Sequence, residues 1–229
     1  MLRRSLSVAG LCLGLLLSAG ALAATLGNVS QQEASGGLKD ALTQGAKAAV
    51  QQLGVPGGFS NNPDVRIELP GKLGKAAKAM KTFGMSAQVD ALENGMNQAA
   101  EAAMPQAQAL LVDAVKKMTV TDAKGILTGG QDSATQYLNK TSREQIRAKF
   151  LPLIKQATDK VGLAQKYNSF AGQAATLGVL DSKDANVEGY VTEKALDGLF
   201  QMIAKKEQDI RANPAAAASS LAKKVFGAL

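Results

Sequence analysis

Histidine and tryptophan are absent from this 229-residue chain, and its single cysteine is Cys12. Without histidine there is no Ser-His-Asp or Cys-His nucleophile arrangement and no histidine-ligated zinc, copper or haem. Acid–base chemistry would have to rest on Asp, Glu, Lys or Tyr. No metal and no cofactor is expected, and no residue stands out as catalytic. Aromatic residues are scarce, with three Tyr and six Phe. That scarcity, together with lysines and arginines spread along the whole chain, speaks against a nucleic-acid binder, which concentrates basic residues in a stripe with stacking aromatics. There is no apolar run of the roughly 20 residues a membrane-spanning helix needs.

What is present reads first as an export signal. Arg3 and Arg4 form a positive start, Leu11, Leu13, Leu15, Leu16 and Leu17 a short apolar stretch, and Ala21 and Ala23 the small residues before a cleavage point. Residues 1–23 are therefore expected to be a signal peptide, with a mature chain beginning at Ala24 in the periplasm or outside the cell. Leu11 before Cys12 argues against a lipid-attachment signal. Cleavage would remove the only thiol, so stability must come from packing without disulfides. Taking Arg3 and Arg4 from the 26 basic residues leaves 24 against 19 acidic ones, a mild net charge of +5. Such a charge is compatible with attraction to an anionic lipid or glycan surface.

Periodicity predicts an all-α protein. Residues 24–34 read as a flexible leader and 35–229 as one helical domain with at most a minor two-stranded β element. Ser35 is expected to cap a first helix carrying Leu38, Leu42, Ala46, Ala49, Val50 and Leu53, which Gly54, Pro56, Gly57 and Gly58 end. Val65-Arg66-Ile67-Glu68-Leu69 alternates apolar and polar residues and is the one strand signal. Its backbone needs a partner: Thr119-Val120-Thr121, a second copy of the chain, or none if the segment is an extended loop. Pro70 suits a helix start, and that helix should reach about Phe83 with Leu73, Ala76, Ala77 and Met80 on one side. Ser86 opens a stretch to about Met118 that Pro105 should kink or break. A short segment runs from Thr121 to Leu127. After Gly129-Gly130 comes a helix with Tyr137 and Leu138. Thr141-Ser142-Arg143-Glu144 has the form of a capping box opening another through Ile146, Phe150 and Ile154, kinked by Pro152. Tyr167, Phe170 and Leu177 mark a further helix, and 178–186 a polar loop. The last strong helix holds Leu196, Leu199, Phe200 and Ile203, with Lys205, Lys206, Gln208, Asp209 and Arg211 on its wet side. An Ala-rich helix closes the chain near Phe226.

Several patterns invite a chemical reading beside a plainer one. Ser220-Leu221-Ala222-Lys223 has the S-x-x-K spacing of serine–lysine acyl enzymes but lacks their partner motifs, so a solvated helix face is the simpler account. Gly129-Gly130-Gln131-Asp132-Ser133 precedes a helix start, where amides can meet an anion. A turn with Asp132 or Ser133 as cap explains it as well. Asn97 and Glu101 share a helix face at i, i+4, with Asp113 further along. An apolar setting would let Glu101 act as an acid, although structural hydrogen bonding is the commoner role. Methionines at 80, 85, 96, 104, 118 and 202 suit either an adaptable apolar surface or core filling. The candidate binding residues are Asn97, Glu101, Asp122, Asp132, Tyr137 and Tyr190.

Ordered stretches also resemble a bacterial family, the domain-of-unknown-function family 4197. They are residues 37–42 (GLKDAL), 65–70 (VRIELP), 96–103 (MNQAAEAA), 122–127 (DAKGIL) with Gly129 and 134–137 (ATQY), 190–200 (YVTEKALDGLF), 210–214 (IRANP) and 224–227 (KVFG). Gln98 departs from a position usually basic in the family. The resemblance implies a secreted or envelope helical protein of unassigned activity and supplies no catalytic residues. The function expected from all this is a non-enzymatic periplasmic or envelope protein that takes a partner protein or an apolar, lipid-like ligand into a helical groove. The alternatives are a carboxylate-based hydrolase using Glu101, Asp113, Asp122 or Asp132, and a binder of anionic lipid or glycan through Lys205, Lys206, Arg211, Lys223 and Lys224.

Overall fold

The computed structural model describes residues 29–82, 86–160, 162, 165, 167 and 186–229. The expected signal peptide, residues 24–28 of the leader, Phe83, Met85, Phe170, Leu177 and residues 178–185 of the polar loop lie outside them. Regular structure among the described residues is helical, with no strand. The order is α1 (Gln31–Leu53), α2 (Gly71–Thr82), α3 (Ser86–Ala103), α4 (Ala107–Lys117), α5 (Val120–Leu127), α6 (Ser133–Lys160), α7 (Val187–Ala212) and α8 (Ser220–Phe226).

The first helix starts earlier than the sequence suggests. Ser30 accepts from the Glu33 amide while Glu33 accepts from the Ser30 amide, a reciprocal cap that draws residues 31–34 into α1. Ser35, expected as the cap, is buried inside the helix. Leu38, Ala46, Ala49 and Leu53 recur at helical spacing and are fully buried. Each large side chain so buried contributes about 1.5–3 kcal/mol. Pro105 does interrupt its stretch: a 3-10 turn at Met104–Gln106 separates α3 from α4. Leu111, Val115 and Met118 beyond it are buried.

One sequence expectation fails at α6. Thr141-Ser142-Arg143-Glu144 opens no helix; it lies in the middle of one that continues through Pro152 to Lys160. The Thr141 hydroxyl donates back to the Tyr137 carbonyl at 2.8 Å and that of Ser142 to Leu138 at 2.6 Å. A capping box forms where upstream amides lack partners, and here the turn before Thr141 is already helical. Helices α6 and α7 run antiparallel: Arg143 and Arg147 meet Glu193, whereas the start of α6 meets Glu207 further along α7. The C-terminal α8 lies against the start of α1, where Lys224 and Glu33 pair at 2.6 Å.

The expected strand is absent. Residues 66–70 belong to no ladder and to no helix, and Thr119, offered as part of a partner strand, instead caps α5. The alternation nevertheless reports the true burial, with Val65 and Ile67 inside and Arg66 and Glu68 outside. The segment rests on α7 at Gly198, where an added Cβ would stand 2.8 Å from Phe59 Cε1 and 3.2 Å from Val65 Cβ. Only a residue without a side chain lets the segment lie this close.

Candidate functional site

One group of buried polar side chains converges on the segment between α1 and α2. Helix α3 turns Glu93, Asn97 and Glu101, spaced by four, toward it, and all three are buried. The Asn97 carboxamide accepts from the Ile67 amide at 2.8 Å and donates to the Ile67 carbonyl at 2.8 Å. It thereby gives Ile67 the two bonds a neighbouring strand would have given. The same Nδ2 donates to the Glu93 carbonyl at 2.7 Å. One turn on, Glu101 Oε1 accepts from the amides of Phe59 and Ser60 at 3.0 and 3.1 Å and from the Ser60 hydroxyl at 3.2 Å. Glu93 Oε2 binds Arg66 at 3.3 Å and Lys81 at 2.9 Å. From α7, the Tyr190 hydroxyl donates to the Glu68 carbonyl at 2.6 Å. Buried donors and acceptors left unpaired cost about 1–3 kcal/mol each, so these side chains fix the path of the segment.

Three of the candidate binding residues, Asn97, Glu101 and Tyr190, therefore meet on one segment as its internal supports. The other three lie elsewhere. Asp122 closes a reciprocal cap with Thr119, whose backbone and hydroxyl bonds hold its carboxyl below the usual range. Tyr137, on α6, has its phenol pushed up by burial and secondarily by the Asp122 charge. Asp132 accepts from the Gln136 carboxamide at 3.0 Å. Asp113 pairs with Lys116 at 3.7 Å on the surface. Glu101, Asp113, Asp122 and Asp132 thus engage four different partners, and no cluster of three or more metal-ligating side chains occurs among the described residues. Met96, Met104, Met118 and Met202 are buried in the core.

Two functional-looking motifs find structural explanations. The start of α6 does meet an anion, and the anion is Glu207 of the protein itself. Its oxygens accept from the Ala134 amide at 3.0 Å and from the amide and hydroxyl of Thr135, both at 2.9 Å. Arg211 binds Glu207 at 3.0 Å, donates to the Ile126 carbonyl at 3.0 Å and lies over the Phe226 ring at 5.6 Å. Arg211, expected on the wet side of its helix, is thus withdrawn into the interior. Ser220 and Lys223 lie exposed on α8, whose cap is Ser219.

The segment held by α3 borders a cleft of about 400 Å³. One wall is Gln52 with residues 55–58 and 61–64; the other is Met202, Lys205 and Lys206 of α7. Gly57 has φ +88°, and a Cβ there would stand 2.5 Å from Asn61 Nδ2. Lys205 pairs with Asp64 at 3.2 Å in an exposed contact. The Asn62 carboxamide faces the Met202 sulfur at 3.8 Å. None of the six candidate binding residues lines this cleft; Glu101 anchors Phe59 and Ser60, the two residues between the parts of its first wall. Sequence reasoning passed over it because Gly54–Asp64 reads only as a helix-ending loop. One signal was available: loops placed by a rigid scaffold are where binding residues concentrate.

One buried side-chain oxygen among the described residues, Oε2 of Glu188, has no hydrogen-bond partner. It stands in the first turn of α7, where the helix dipole favours a negative charge. No helix among the described residues is long and apolar enough to cross a membrane.

The family profile described as "Protein of unknown function (DUF4197)" matches residues 28–227, nearly the whole chain, and the chain belongs to that family. No curated protein and no solved structure matches it.

Proposed function

We propose that this is a non-enzymatic binding protein of the bacterial periplasm or envelope, and that its ligand enters the cleft between the Gly54–Asp64 loop and α7. The observation that carries the reading is the support beneath that loop. Glu101 buries its carboxylate to hold the backbone of Phe59 and Ser60 within the loop, and Asn97 holds Ile67 three residues beyond its end. A loop fixed in this way loses little further entropy when a ligand orders it, which is the general advantage of preorganisation. The cleft volume falls in the range of small-molecule sites, about 300–1,000 Å³. Its walls carry two lysines, an aspartate and three carboxamides beside Val55, Met202 and two prolines. The charged and carboxamide groups suit a polar small molecule better than the partner protein or apolar ligand expected from the sequence.

The test is a titration of the purified protein with a set of small polar and apolar compounds, followed by backbone amide chemical shifts. Saturable shifts at residues 55–64 and 202–206 are expected for at least one polar compound. Shifts confined to other surfaces, or none with any compound, overturn the reading. Placement in the envelope is tested separately, by osmotic-shock fractionation and N-terminal sequencing. A mature chain beginning at Ala24 in the released fraction is expected, and a cytoplasmic chain retaining Met1 refutes it.

A further inference from the structure

We propose that the cleft selects an anion, a small molecule bearing phosphate or carboxylate oxygens, with Lys206 as its charge anchor. The inference rests on the binding-protein reading and names the ligand class for the same site. The lining holds two cations, Lys205 and Lys206, against one anion, Asp64. Asp64 is already engaged by Lys205. Lys206 forms none of the ion pairs or hydrogen bonds found among the described residues. It is half-buried and lines the cleft, and its Cβ stands 3.6 Å from where a Cβ on Gly45 of α1 would be, so the base of its side chain packs at α1. A half-buried lysine can cover its methylenes while its charged head stays in water, which leaves this charge available to a ligand in the cleft.

The neighbouring donors fit the same ligand. The carboxamides of Gln52 and Asn61 line the cleft, and neither makes a hydrogen bond among the described residues. Carboxamides donate or accept, so the uncompensated lysine sets the sign of what they face. A cationic ligand would meet Lys206 with no free carboxylate to offset it. The wider basic set suggested by sequence does not form one patch. Arg211 is internal, and Lys224 is tied to Glu33, 12 residues before Gly45 on α1. At 1.5 Å per residue that is roughly 18 Å along the helix. Neither Arg211 nor Lys224 therefore adds a free charge to the cleft.

The test titrates sodium pyrophosphate and, separately, citrate into the purified protein at low salt, with amide shifts as the readout. Lys206→Gln, Lys206→Arg and Lys223→Gln are compared with the parent. Saturable shifts at 55–64 and 202–206 are expected. Lys206→Gln should weaken binding about tenfold, as loss of a charged hydrogen bond does, Lys206→Arg should restore most of it, and Lys223→Gln should leave it unchanged. Equal weakening by Lys206→Gln and Lys223→Gln would reduce the effect to diffuse attraction and overturn the proposal. If uncharged compounds saturate the cleft and both anions fail, the anion inference falls while the binding-protein reading stands. If nothing shifts the cleft, both fall. A second arm separates two sources of such an anion. Cosedimentation with phosphatidylglycerol vesicles but not phosphatidylcholine vesicles, lost in Lys206→Gln, identifies a lipid headgroup; pyrophosphate or citrate binding without cosedimentation identifies a free solute.

Discussion

Helix α7 meets α6 through two glutamates that also bind arginine, and they differ in burial and in what they hold: Glu193 takes arginines of α6, while Glu207 takes backbone amides of α6 and an arginine of its own helix. Near its middle, Glu193 takes Arg143 at 2.8 Å and Arg147 at 2.7 Å, with 42% of its side chain exposed. Further along, Glu207 takes Arg211 and the opening amides of α6 with 3% exposed. The outer pair operates in high dielectric and is screened by salt. The inner one has lost its water, so every lone pair must be met by protein. Asn97 and Glu101 belong with the inner kind. The polar interior of this protein serves to place backbone: the start of α6 in one case, the wall of the cleft in the other.

The contrast is sharpest at Glu207. Glu207→Ala leaves the Arg211 guanidinium buried without its counter-charge and uncaps α6. A loss of about 3–5 kcal/mol is expected, the usual cost of breaking a buried pair from one side. It is read as a lower urea midpoint at unchanged slope. A loss under about 1 kcal/mol would erase the distinction between the two contacts. Next in size is Asn97→Leu, which keeps the bulk but strands the amide and carbonyl of Ile67. At about 1–3 kcal/mol for each buried group, a loss of roughly 3 kcal/mol is expected. Amide exchange should rise selectively at residues 59–68. Destabilisation without that local loosening would mean that Asn97 does not hold the segment that follows the cleft wall.

These contacts explain which parts of the structure were legible in the sequence. Helical periodicity located α1, α3 and α7 because their apolar residues face a core directly. Pro105 announced its break because a missing amide acts locally. The alternation at Val65–Leu69 correctly placed Val65 and Ile67 inside. Its partner could not be read, because a carboxamide 30 residues away replaces the second strand. Pairing Asn97 with Glu101 identified the right helix face, and only the fold reveals that the face turns to a loop. Glu207 carried no signal, since a glutamate four residues before an arginine on a helix usually marks a wet face. The cap at Thr141 failed for the converse reason: capping chemistry is local, but whether a helix needs a cap there depends on what precedes it.

The outer contacts should respond weakly. Burial opposes ionisation of Glu193, yet the hydrogen bonds from Arg143 and Arg147 prevail and hold its carboxyl below the ordinary value. Because it is well exposed, Glu193→Gln should cost no more than about 1 kcal/mol, and less as salt is raised. A salt-independent loss as large as that of Glu207→Ala would show the α6–α7 seam to be drier than its exposure indicates.

The smallest effect is expected where α8 meets α1, and there it is read by titration. The hydrogen bond from Lys224, aided by the Ser30 cap, lowers the Glu33 pKa from 4.5 to about 2. A carboxyl depressed on folding stabilises the native state above its unfolded value. That contribution fades as pH falls through the folded one, so here the window runs from about 4.5 down to about 2. Glu33 is fully exposed, so the prediction is a titration midpoint in place of an energy. Carboxyl-carbon shifts of Glu33 should show a midpoint near 2 in the parent and a higher one in Lys224→Gln. An unchanged midpoint in that variant would assign the depression to the Ser30 cap alone and would mean that α8 is not held by its lysine. A midpoint that rises toward the ordinary value would mark this junction as the outer counterpart of Glu207: the same kind of contact at a helix start, left in water where it does little to hold the fold.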